Sequence, residues 1–245
     1  MTEIEILAYG SIILLFSSLL QGLTGFGFSL FAVPLLTLLL PPRTVIPVLI
    51  VYSLMVNVAV LISAKGHLDL KRQGLLLVGG LAGLPLGSYL LRNLPVFHLK
   101  MIIGAVVLLL AVILLVRPDT KIVKTDSKAV NLPVGFLSGL LCSSVSLSGP
   151  PVIIFYAFRK VNKQYFRGNL ALFFLVLNFF TLILYSSSGM LTGVVLRYAW
   201  QFLPALLLGM STGIYLTRFL PERSFQRVVL ALLLIIGIMT VATNF

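Results

Sequence analysis

Lys, Arg, Asp and Glu cut the chain into long uncharged stretches, and the lengths of those stretches predict the elements. The first, Ile6 to Pro42, holds 37 residues. As one helix it would reach about 55 Å, far beyond a bilayer core of about 30 Å. It must turn back, and Gly22-Leu23-Thr24-Gly25-Phe26-Gly27 is the natural breaker. Thr44–Ala64, Gln73–Leu91 and Val96–Val116 are each about one span. A polar segment, Arg117–Lys128, follows, and then the pattern recurs. Ala129–Phe158 is a second long uncharged stretch, interrupted by Ser143-Ser144-Val145-Ser146-Leu147-Ser148-Gly149-Pro150-Pro151. Gly168–Ser186, Tyr198–Thr217 and Val228–Thr243 complete the set. The apolar runs lack period-2 alternation and exceed barrel-strand length, so they read as helices.

The expected fold is therefore an all-α membrane protein of about ten segments, five per half. The short segments Phe28–Leu40, Asn131–Leu141 and Val152–Phe158 are each about 20 Å or less, so they either cross or dip in and return. With ten segments, only Arg43, Arg92, Lys100 and Arg197 fall on the N-terminal side, and the other 14 of 18 cations fall opposite. Counting each broken stretch as one helix gives 8 against 10, which is no signal. The positive-inside rule thus favours ten segments, with both termini outside and loops 65–72, 117–128, 159–167 and 218–227 in the cytoplasm. An odd number of segments per half makes the halves inverted.

An internal repeat supports the same division. Gly83, Gly87, Tyr89, Leu90, Arg92, Leu94 and Pro95 match Gly209, Gly213, Tyr215, Leu216, Arg218, Leu220 and Pro221, seven identities in thirteen positions at an offset of 126. Gly22 and Pro34 fall on Gly139 and Pro151 at an offset of 117, and Asn57 falls on Asn178 at 121. The expected organisation is a first repeat over 1–116, a cytoplasmic linker over 117–130 and a second repeat over 131–245. Inverted repeats with matched interruptions point to a transporter whose site lies at the interruptions.

Composition changes this picture little and excludes much. Charged residues are 10% and hydrophobic residues 59% of the chain, so lipid must be the solvent for most of it. The net charge of +12 is explained by cytoplasmic loops; no polar stretch is long enough for a nucleic-acid module. A single cysteine, Cys142, rules out an internal disulfide and a zinc cluster. The acidic start, Glu3 and Glu5, is unlike a signal peptide, and no cleaved segment is expected.

Candidate chemistry sits at the interruptions. Gln21, Gly25, Phe26 and Gly27 precede a helix start, where orphan N–H groups and the macrodipole suit an anion. Ser146, Ser148, Gly149 and Pro150 occupy the matching place in the second half. Close packing of small residues is the competing explanation. Asn57 and Asn178, alone deep in uncharged spans, suit interhelical bonding or substrate contact equally. Arg167 can reach an anion, although snorkelling to the cytoplasmic surface is the commoner fate; Arg92 and Arg218 read as snorkelling anchors. Tyr198 and Trp200 fit an interfacial belt. His67 and His98 suggest no metal pair. All six acids, Glu3, Glu5, Asp69, Asp119, Asp126 and Glu222, lie outside the spans, which disfavours a bound cation or an acidic proton relay.

These residues together resemble the TauE/SafE family of sulfite exporters. The resemblance rests on the run from Gln21 to Phe28 with Pro34 and Arg43, and on Ser138-Gly139 leading to Gly149-Pro150-Pro151. It covers essentially the whole chain. It implies a multi-pass permease of the inner cell membrane that exports small sulfur-containing or organic anions such as sulfite, sulfonates or sulfoacetate. Many members have a glycine-rich second motif, whereas this chain reads Cys142-Ser143-Ser144-Val145-Ser146, whose hydroxyls would retune selectivity. No cofactor is implied, and the expected partners are a small anion and the lipid bilayer. A selective anion channel and a non-transporting scaffold are the rival readings. An intramembrane enzyme would need a nucleophile with a base within reach, and away from the interfaces the spans hold no histidine, lysine or acid.

Overall fold

The structure is a computed structural model, and it describes residues 2–63, 70–116, 128–157 and 163–219. Helix is the only regular structure among them. Ten helices follow one another: α1 (Glu3–Thr24), α2 (Phe28–Leu39), α3 (Pro42–Ser63), α4 (Leu70–Asn93), α5 (Val96–Val116), α6 (Lys128–Val145), α7 (Gly149–Ala157), α8 (Lys163–Ser187), α9 (Gly193–Gln201) and α10 (Leu203–Thr217). Four are long and apolar enough to cross a membrane, and the bent pair α9–α10 would make a fifth span.

The ten helices among the described residues follow a different partition from the ten segments expected. The expected segment Val228–Thr243 lies outside the described residues, as does most of the linker. The expected single span Tyr198–Thr217 is instead the end of α9 and the whole of α10, meeting at a 49° bend around Phe202. Proline explains the break. Pro204 sits in the first turn of α10 and lacks the N–H that a continuous helix would need there. The carbonyls of Tyr198 and Ala199 lie 3.2 and 2.6 Å from the buried Tyr52 hydroxyl of α3, which donates to them.

Apolar side chains fill the core and also cover much of the outside, while polar side chains within the spans turn inward. Large apolar side chains such as Tyr9, Phe16, Phe97, Phe179, Trp200 and Tyr215 are exposed, whereas Gln21, Asn57, Ser143, Ser144, Asn169 and Asn178 are buried. That is the arrangement expected where lipid surrounds the bundle.

The most intimate helix pairs are α4 with α6, α1 with α10, and α3 with α8. Glycine makes the first two possible. A Cβ at Gly83 would lie 2.2 Å from the Phe136 carbonyl oxygen, and one at Gly209 would lie 2.1 Å from that of Leu15. One helical turn on, Gly87 meets the Leu140 carbonyl and Gly213 that of Leu19. Phe136 and Leu140 follow Leu15 and Leu19 by 121 residues, and the glycines are 126 apart. The two interfaces are therefore built alike.

Candidate functional site

At the first interruption α1 ends on Gly25, left-handed at φ 84°, whose N–H closes onto the Gln21 carbonyl at 2.7 Å. Gly27, at φ 99°, is the N-cap of α2 and has no side chain to offer. Glycine tolerates both conformations without the Cβ penalty. Thr24 holds the gap closed, its Oγ1 2.6 Å from the Phe26 carbonyl and 3.3 Å from the Phe26 N–H. Gln21 then reaches seven residues ahead, and its Oε1 accepts the Phe28 N–H at 3.1 Å. The next N–H groups of the α2 first turn belong to Ser29 and Leu30, and no carbonyl within the helix can reach them.

At the second interruption α6 ends on Ser146 at φ 58°, the only non-glycine residue with positive φ among those described. Its N–H and that of Leu147 close onto Cys142 and Leu141. Such strain persists where surroundings enforce it, often at functional sites. α7 begins at Gly149, followed by Pro150 and Pro151, which fix the helical φ but carry no N–H. The two interruptions thus differ chemically. The first presents backbone donors and the second presents the hydroxyls of Ser146 and Ser148.

The equivalence between the interruptions lies at an offset of 121, not 117. Gly25 answers to Ser146, and the helix starts Phe28 and Gly149 answer to each other. Gln21 donates from Nε2 to Asn57 Oδ1 at 2.7 Å, and Cys142 donates to Asn178 Oδ1 at 3.3 Å. The expected pairing of Gly22 with Gly139 misplaced the gap by four residues.

Both interruptions open on one cavity, lined by Gln21, Gly27, Ser29, Leu30, Ser53, Asn57, Ser146, Leu147, Ser148, Gly149, Phe174 and Asn178. Its volume is about 20 Å³, enough for the centre of one water-sized sphere to move. None of these residues carries a formal charge. Three hydroxyls run across it, Ser53 to Ser29 at 3.4 Å and Ser29 to Ser146 at 3.1 Å. Asn57 is 1% exposed, and its Nδ2 is buried without a partner. A Cβ at Gly27 would meet nothing within 4 Å, so that glycine faces open space.

Of the eleven residues expected at the site, seven line this cavity: Gln21, Gly27, Asn57, Ser146, Ser148, Gly149 and Asn178. Four do not. Gly25 packs on the Arg167 side chain, and Phe26 meets Phe166 edge to face at 5.8 Å. Pro150 is buried one residue past the lining. Arg167 does not snorkel as expected: it is 2% exposed and turned inward, donating to the Gly22 carbonyl at 2.8 Å and to Ser63 Oγ at 3.4 Å. Two acceptors at the ends of α1 and α3 hold it there, a bond that a lipid surface would not supply.

Sequence reasoning passed over Ser29, Leu30, Ser53, Leu147 and Phe174. A signal existed for Ser53, which lies one helical turn before Asn57 on α3. Phe174 stands in the same relation to Asn178 on α8. The free cysteine, Cys142, is buried beside Asn178 and Thr181. Among the described residues no three His, Cys, Asp or Glu side chains come together as a metal site would require. His67 lies outside the described residues, and His98 stacks edge-on with Phe97.

Comparison with curated proteins and with solved structures returns no match. The sequence profile described as Sulfite exporter TauE/SafE matches residues 11–240, nearly the whole chain, including both interruptions. With its transporters of sulfite-type anions, multi-pass and membrane-embedded, the sulfite exporter TauE/SafE family is the one to which this chain belongs.

Proposed function

We propose that the chain is an exporter of a small sulfur-oxo or organic anion, such as sulfite, a sulfonate or sulfoacetate, with its substrate site in the cavity between the two interruptions. The observation that carries this reading is the polarity of the lining. It offers an unpartnered Asn57 amide, the free N–H groups of the α2 first turn and four serine hydroxyls, and no carboxylate among its lining residues. Such a surface stabilises negative charge through neutral donors and the positive end of a helix. It gives a cation nothing charged to hold.

The halves are inverted about this cavity, with both termini outside the inner membrane. A sulfite-sized anion has four non-hydrogen atoms, more than a 20 Å³ space accepts. The site must therefore widen to load, and the left-handed Gly25 and Gly27 on either side of Phe26 give the α1–α2 turn the freedom to do so. A site this closed favours a carrier over a permanently open channel. Moving one negative charge outward gains about 2.3 kcal/mol per 100 mV, inside negative, so efflux needs no coupling ion.

Proteoliposomes loaded with sulfite test the proposal. Efflux should saturate with internal sulfite and should quicken as the interior is made more negative. Flux that rises linearly without saturation would mean a channel, and absence of flux for sulfite, sulfoacetate and methanesulfonate alike would end the reading.

A further inference from the structure

Arg167 is the one charged side chain among the buried residues described. Its Nη2 is held by Gly22 and Ser63, but its Nε is buried without a partner. The only ion pair among the described residues is elsewhere, Glu3 with Arg197 at 3.0 Å. A cation in such surroundings is costly unless an opposite charge joins it.

The space beside it is large. Arg167 lines a cavity of about 810 Å³ with Ile62, Ser63, Gln164, Thr217 and Arg218. These residues come from the end of α3, the first turns of α8 and the end of α10. All three adjoin loops that the distribution of Lys and Arg assigns to the cytoplasm. The α1–α2 turn separates this space from the central cavity. Gln21 and Gly27 face the small cavity, whereas a Cβ on Gly25 would lie 2.9 Å from Arg167 Cγ. The residue 121 positions before Arg167 is Ile46, fully buried, so among the described residues the buried charge has no counterpart at the equivalent position.

We propose that Arg167 and this large cavity form a second anion site, an antechamber that collects the oxyanion from the cytoplasmic side before it passes the α1–α2 turn. The proposal rests on the anion-transport reading above. The ligand is a small sulfonate-like or carboxylate oxyanion, which would supply the counter-charge that the buried guanidinium lacks. Arg218, exposed at the rim, adds a second positive charge along the approach.

The test reads the electrostatics of the antechamber without transport. Ser63→Cys is introduced into the full chain, with the parent protein as background for the buried Cys142. The rates of modification by anionic and cationic methanethiosulfonates of similar size are compared, each relative to a free thiol. The anionic reagent should be favoured by about tenfold. Arg167→Gln should abolish that preference, and Arg167→Lys should keep most of it. Methanesulfonate should slow the anionic reaction when Arg167 is present. Equal rates for the two reagents, a preference that survives Arg167→Gln, or no protection by methanesulfonate would overturn the proposal. If Arg167→Gln does not fold, the lysine variant and methanesulfonate protection decide it. Failure of the transport reading would look different: no anion flux, with these rates unchanged.

Discussion

Gln21 and Asn57 are joined by a 2.7 Å side-chain hydrogen bond whose direction is fixed from outside the pair. Gln21 Oε1 is taken by the Phe28 N–H, so its Nε2 must face Asn57. Asn57 can only answer with Oδ1, and its own Nδ2 is left over inside the cavity. The α1–α2 turn thus orients the amide of a third helix.

The leftover donor should matter to the ligand. Asn57→Ala is expected to weaken sulfite binding by about 10- to 150-fold, the loss of one hydrogen bond to a charged group. Asn57→Asp should abolish binding by adding a like charge. Calorimetric Kd and melting temperature on the same purified variants check this. A lower melting temperature with unchanged Kd would make Asn57 a helix tie and nothing more.

Ser146 offers a sharper separation of stability from function. A non-glycine residue at left-handed φ costs about 1–2 kcal/mol. Ser146→Gly removes that strain and also the hydroxyl beside Ser29. Melting temperature should hold or rise while affinity for sulfite falls about tenfold or more. Ser148→Ala should weaken binding similarly without the gain in stability.

The interhelical glycines should behave in the opposite way. Gly83→Ala and Gly209→Ala each force a methyl to within 2.2 Å or less of a backbone oxygen on the neighbouring helix. Backbone cannot swing aside as a side chain does, so both variants should lose folded yield and melting temperature. Whatever protein remains folded should bind sulfite normally.

pH supplies another check. The lining consists of Gln, Gly, Ser, Leu, Asn and Phe, none of which titrates between pH 5 and 9. Flux of methanesulfonate, a strong acid, should therefore stay flat across that range in proteoliposomes. A bell-shaped or stepped profile would reveal a titrating group in the path.

Orientation is open to direct labelling. Single cysteines near Lys65, Lys124 and Lys163 should react only with reagent applied from the cytoplasmic side, and cysteines at both termini only from outside. A cytoplasmic C-terminus would break the inverted arrangement.

The breaks in the chain were legible in the sequence because glycine and proline interrupt uncharged runs for reasons local to the backbone. Seven cavity residues were legible for the same reason, since they sit at or beside those breaks or are amides stranded in apolar helices. Ser29, Ser53 and Phe174 were not, because lining a cavity depends on which helix lies opposite. The fate of Arg167 was misjudged on similar grounds. Snorkelling is what a cation does at a helix end facing lipid, whereas here the ends of α1 and α3 supply acceptors that only packing reveals. The bend at Phe202 carried a local signal, Pro204, that the apolar run from Tyr198 to Thr217 masked.

That bend also wires the bundle optically. Tyr52, immediately before the cavity residue Ser53 on α3, grips the two carbonyls just ahead of Trp200, the only tryptophan in the chain and 77% exposed. On the proposed widening of the cavity, a shift of α3 would pass through the Tyr52 phenol to the peptide units that carry the indole. Trp200 is thus a built-in fluorophore, and its emission and access to lipid-borne quenchers are expected to follow the proposed loading of a site far from it in sequence, with no label attached.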